Sequence, residues 1–175
     1  MSAPLGRGTD GGFAERQAPA PVETRATYRG DLHAWAREQA ALLRAGRLTE
    51  ADALNIAEEL DDVGNEQYDK LESALRVLLT HMLKWDHQPE RRGRSWEATI
   101  RTQRKVVAKV LRKNPSLKSS RDEAVAEAWD EARSEAAGET DLPLAAFPEA
   151  NPYDWAAITE RPFDYDPPPA RRGRR

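Results

Sequence analysis

The chain has 175 residues, of which 39% are aliphatic or aromatic and 33% charged, with a formal net charge of −3 and no cysteine. That length suits one ordinary domain with a core and is short for two, and the missing cysteine excludes disulfides, thiol nucleophiles and cysteine-bound zinc. No apolar run approaches the roughly 18 residues of a membrane span, the first residues lack the apolar stretch of a secretory signal, and the near-neutral balance does not by itself mark a nucleic-acid binder; the cytoplasm is the expected compartment.

Residues 1–27 are rich in Gly, Pro and Ala without apolar spacing and predict a disordered arm. Asp31 is a natural N-cap for a first helix carrying Leu32, Trp35, Leu42 and Leu43 near one face, with Gly46 as its stop. Thr49 followed by Asp52 resembles a capping box with Asp in place of Glu. It opens a long amphipathic pattern: Ile56, Leu60 and Val63, then Leu71, Leu75, Leu78, Met82 and Trp85. Gly64-Asn65 is the expected break in it, and Pro89 lies past its end. Ser95 is expected to cap a third helix with Trp96, Ile100, Val107, Val110 and Leu111 on its buried stripe, ended by Asn114-Pro115. A fourth begins after Ser119 or Ser120, buries Val125, Ala128, Trp129, Ala132 and Ala136, and stops near Gly138. Asn151-Pro152 predicts a short fifth helix through Ile158.

The pattern therefore predicts an all-α protein, a compact bundle of about five helices in one domain over residues 28–163. The remaining residues, 164–175, with three prolines and four arginines, are expected to form a disordered tail. The five tryptophans fall about one per helix and are expected as core anchors whose indole N–H groups need acceptors.

Charge is unevenly spread. Thr49 to Glu72 has nine acidic residues and one basic, a net −8, whereas Lys84 to Lys118 has eleven basic and three acidic, a net +8. The two segments are expected to lie alongside each other and neutralise. The alternative is a basic surface that binds phosphate, with Trp85 and Trp96 as stacking platforms.

The densest collection of chemically able side chains lies at the junction of the second and third helices: His81, Lys84, Trp85, Gln88, Arg91, Arg92 and Trp96 form a candidate functional patch. A half-buried His81 beside Lys84 could titrate near neutral pH. His81 and His87 are six residues apart and do not share a helical face, so no metal site is expected, and no cofactor-binding motif is present. Glu59 and Arg104 each interrupt an apolar stripe. They are expected to face inward as an ion pair bridging two helices, the other reading being an acid/base or anion-stabilising site with His81.

Several of these stretches together resemble a family. Ala57-Glu58-Glu59-Leu60, the run Leu78 to Trp85, Gln88-Pro89-Glu90, Ser95-Trp96, Gln103-Arg104, Asn114 to Leu117 and Phe147-Pro148, in this order, are similar to the bacterial domain-of-unknown-function-29 family over about Tyr28 to Ile158. The resemblance implies an all-helical bacterial protein without an established activity. It also implies a cysteine before the proline of a Phe-Pro-x-x-Cys-Pro pattern, where this chain has Asn151. The function expected first is an interaction or binding module, self-associating or taking another protein, that uses the surface near the Lys84–Trp96 joint. A nucleic-acid-binding accessory acting through residues 84–118 comes second, and an enzyme using Glu59, His81 and Arg104 third; no membrane partner is expected.

Overall fold

The structure is a computed structural model and describes residues 27–166. The arm expected over 1–27 falls, apart from Thr27, outside the described residues, as does the tail from Pro167 onward. Among the described residues there are five α-helices and no strand: α1 (Leu32–Arg44), α2 (Ala53–His87), α3 (Arg94–Lys113), α4 (Arg121–Thr140) and α5 (Trp155–Glu160), joined by short 3-10 turns. The expected body of residues 28–163 divides by its contacts into two compact units, with the boundary between Ile56 and Ala57.

In the first unit, Asp31 caps α1 by accepting from the Ala34 N–H at 2.9 Å, and Gly46 follows the helix with φ of 72°, a left-handed conformation that a Cβ would strain. Trp35, Gln39 and Leu42 are its buried face. Thr49 lies inside a 3-10 turn, Leu48–Glu50, and not at the N-cap of a helix. Asp52 takes that role instead: its carboxylate accepts from the Asn55 N–H at 3.4 Å, and also from the Asn55 side chain at 2.6 Å and the Trp35 indole at 3.4 Å, while its own N–H is held by Gln39 Oε1 at 2.9 Å. The Asn55 hydrogen bond, chief among these, holds the Asp52 carboxyl below its ordinary pKa.

The second unit is built on α2, α3 and α4. Pro89 cannot continue α2, and the six residues from Gln88 to Gly93 turn the chain back so that α3 runs against it. Leu71, Leu75, Leu78, Leu79, Met82 and Leu83 of α2 are fully buried, each stabilising the fold by roughly 1.5–3 kcal/mol. They meet Ile100, Val107, Val110 and Leu111 of α3 and an alanine row on α4. That row, Ala124, Ala128, Ala132 and Ala136, recurs every fourth residue with no exposed surface, so α4 can approach closely where larger side chains would hold it away.

Several expected boundaries move. α2 runs unbroken through Gly64-Asn65, since the cost of glycine in a helix is only about 1 kcal/mol. α3 starts two residues early, with Gly93 as N-cap rather than Ser95. α4 passes Gly138 and ends at Thr140, where Asp141 adopts the left-handed conformation at φ 58°. α5 is capped by Asp154, whose carboxylate accepts from the Ala157 N–H at 2.7 Å, rather than by Asn151. The chain stays docked beyond residue 163: Phe163 is buried and Tyr165 packs on the core.

Candidate functional site

The seven residues of the Lys84–Trp96 patch occupy one region, and most of their polar groups turn inward. Lys84 lies on the buried side of α2 with its residue only 6% exposed. Its ammonium pairs with Glu139 of α4 and sits 4.9 Å from the Trp96 ring centre, a cation–π contact. Gln88 is buried and donates through Nε2 to the Thr140 carbonyl at 2.8 Å, closing the C-terminus of α4; its Oε1 has no partner. Arg92 folds back to donate to the Trp85 carbonyl at 2.7 Å, with its guanidinium over the Trp85 ring at 5.4 Å. His81 has Nδ1 2.9 Å from the Val77 carbonyl, which requires the proton on that nitrogen. Burial holds its pKa below the ordinary value, and Lys84 adds to the effect. Arg91 is exposed. The patch is a helix joint: its side chains tie α2, α3 and the end of α4 together, while Trp85 and Arg92 also line an open cavity of 610 Å³ with Pro89, Glu90, Pro162 and Tyr165.

Lys84 and Gln88 are also the last two members of a polar seam that sequence reasoning missed. Tyr68, Glu72, Arg76, Thr80 and Lys84 recur every fourth residue along α2, with Gln88 one step further just past its end, and Glu127, Glu131, Glu135 and Glu139 do the same along α4. Tyr68 donates to Glu127 at 2.7 Å, Arg76 pairs with Glu131 at 3.2 Å and also with Glu135, and Thr80 donates to Glu135 at 3.1 Å. Partners on α4 advance with the residues on α2, so the two helices run in the same direction. Burial, followed by the nearby Glu131, raises the Glu72 carboxyl above its ordinary pKa. The signal was present in the sequence as two polar stripes of equal period and complementary charge.

The expected Glu59–Arg104 pair does not form. Arg104 donates to the carbonyls of Ile158 at 2.7 Å, Arg161 at 2.7 Å and Ala157 at 3.0 Å, capping the C-terminus of α5, and lies 5.1 Å from the Phe163 ring centre. The guanidinium fork and the free carbonyls of a helix end are natural complements. Glu59 and His81 lie 22 residues apart on one continuous helix, about 33 Å at 1.5 Å per residue, so no acid/base site contains both. A second clamp was not foreseen either. Asp86 of α2 accepts two hydrogen bonds from Arg161, at 2.8 and 2.5 Å, and one from the Tyr153 hydroxyl at 2.8 Å. Burial pushes the Asp86 carboxyl up, but these donors outweigh it and hold its pKa below the ordinary value.

Between Asp52–Glu72 and the basic segment the expected neutralisation is not made by ion pairs. Among the described residues no ion pair links Asp52–Glu72 to Lys84–Lys118: Glu66 pairs with Lys70 at 2.8 Å, Arg101 with Glu97 at 3.7 Å, and Lys84 with Glu139. Glu58, Glu59, Asp61 and Asp62 have no ion-pair partner among the described residues, nor do Lys105, Lys109, Arg112 and Lys113.

An open groove of 640 Å³ remains between α2 and α3. Its apolar lining is Ala74, Val77, Val106 and Val110; Lys109 and Lys113 stand on its α3 side, and Glu66, Asp69 and Lys70 on its α2 side. On the N-terminal part of α2 within the same unit, Leu60 and Val63 are 66% and 57% exposed. Among the described residues no group of three or more His, Asp or Glu side chains is placed to hold a metal ion, and no helix is long and apolar enough to cross a membrane.

The sequence matches the family described as domain of unknown function DUF29 over residues 27–164. The chain belongs to that family. The match spans α1 through α5 and so covers both units. No curated protein and no solved structure matches the chain. At the position where the resemblance implies a cysteine, Asn151 accepts from the Tyr153 N–H at 2.9 Å, an Asx turn that leads toward the Tyr153–Asp86 contact.

Proposed function

We propose that this DUF29 chain is a helical protein-interaction module whose binding surface is the groove between α2 and α3, next to the joint rather than on it. One observation carries the proposal: the groove combines an apolar lining, Ala74, Val77, Val106 and Val110, with Lys109 and Lys113, which have no ion-pair partner among the described residues. Such a surface suits an amphipathic helix with an apolar stripe and acidic flanks. The joint is a poorer candidate, because Lys84, Gln88 and Arg92 already have internal partners. The cytoplasm suits a cysteine-free chain.

The test is an amide-resolved NMR titration with a synthetic acidic amphipathic helix. Shifts centred on Ala74, Val77, Val106 and Val110 are expected; shifts centred on His81, Trp85 and Trp96, or none, would contradict the proposal. Nucleic-acid binding is the second reading, favoured by the exposed Lys105, Lys109, Arg112 and Lys113 on α3. Trp85 is buried and Lys84 covers one face of Trp96, which counts against base stacking there. An oligonucleotide that shifts the α3 lysine face at physiological salt would favour this second reading.

A further inference from the structure

We infer that the occupant of the groove is the N-terminal part of α2 from a second copy of this chain, so that two copies pair antiparallel along α2. The inference rests on the groove being the binding surface, as proposed above. Three observations on one chain supply both halves of the contact. Leu60 and Val63 form an apolar stripe left in solvent. Glu58, Glu59, Asp61 and Asp62 flank it with four carboxylates unpaired among the described residues. The groove offers an apolar lining with Lys109 and Lys113 along its α3 side; on its α2 side Glu66 is paired with Lys70, beside Asp69.

Helical phase places stripe and groove on one side of α2. Leu60, Gln67 and Ala74 are seven residues apart in turn, as are Val63, Lys70 and Val77, and a seven-residue step returns nearly to the same face. The stripe and the groove are separated by about four turns, roughly 21 Å. An antiparallel second copy with its two-fold axis near Tyr68 therefore sets Val63 against Ala74 and Leu60 against Val77 at one end. The same contacts repeat at the other, which is the self-complementary arrangement of an isologous dimer. A different protein lying in the groove would leave the stripe exposed; a second copy covers both at once. The acidic stretch of each copy then faces the basic helix of the other, so that charges unpaired among the described residues neutralise across the pair.

Sedimentation equilibrium of the full chain tests this. A mass twice the 19.6 kDa of the chain is expected, with dissociation at least tenfold easier in L60E/V63E and in K109E/K113E, and easier again at high salt. Both double substitutions lie on exposed positions, and unchanged circular dichroism would show that the fold is intact. An equimolar mixture of the two variants retains one unaltered stripe and one unaltered groove and should dimerise better than either alone. A dimer indifferent to both variants would overturn the inference. So would a monomer at 100 µM. In the monomer case a peptide of residues 54–68 separates the outcomes: if it binds the groove, only the second copy is wrong as occupant, and if it does not, the groove proposal fails as well.

Discussion

Replacing Arg104 with alanine removes the side chain that joins α3 to the C-terminal carbonyls of α5 by three hydrogen bonds, to Ile158, Arg161 and Ala157. A net contribution of about 1 kcal/mol per bond suits a half-buried guanidinium whose carbonyl partners regain water when released. The cation–π contact with Phe163 adds roughly 0.5–1 kcal/mol. The expected loss is therefore about 3–4 kcal/mol, read as a lowered midpoint in a urea titration with unchanged slope. Hydrogen exchange should show it concentrated in residues 155–165. Arg104→Lys should recover less than half, because a single ammonium cannot reach three carbonyls arranged around a planar fork. A loss under about 0.5 kcal/mol for Arg104→Ala, or full recovery with lysine, would refute the assigned role.

Lys84→Ala should cost about 2–3 kcal/mol and Lys84→Met markedly less in thermal melts, since methionine keeps the buried stem while only the Glu139 pair and the Trp96 contact are lost. Because the Asp86 pKa is depressed in the fold, the stability it contributes is present above the unfolded carboxylate value of about 3.9 and is lost as pH falls through its lower folded value. Urea midpoints for Asp86→Asn should therefore change less than those of the wild type below about pH 4. For His81, also depressed, stability is full above about pH 6.5 and declines as pH falls through the folded value; its imidazole should titrate below 6.5 by NMR with the Nδ1–H tautomer dominant.

How much of this was legible beforehand depended on what kind of partner each residue has. The stripe of Ile100, Val107, Val110 and Leu111 was read correctly because apolar side chains on one face of a helix with charges on the other have one economical disposition. Leu60 and Val63 carry the same period as Leu71 and Leu75, yet the first pair lies in solvent and the second in the core. Periodicity reports that a face is apolar, not which body covers it. Arg104 was correctly set inward between Ile100 and Val107, but a charge-based search looks for a carboxylate, and its partners are backbone carbonyls that no sequence displays. The Lys84–Trp96 patch was conspicuous for a real reason: rare side chains are concentrated where three helix ends need polar closure. The α2–α4 seam could have been found by asking for period four in polar residues as well as in apolar ones.

The most direct test of the binding surface uses the absence of cysteine as a clean background. In Leu60→Cys/Val77→Cys the two thiols lie 17 residues apart on one helix, about 25 Å, well beyond the roughly 7 Å limit between Cα atoms for a disulfide. They cannot join within a chain, whereas the antiparallel pairing brings each against its counterpart on the second copy. Mild oxidation should convert the double variant to a covalent dimer on a non-reducing gel and leave each single variant monomeric. A double variant that stays monomeric, or a Leu60→Cys single variant that cross-links as efficiently, would contradict the pairing of stripe and groove.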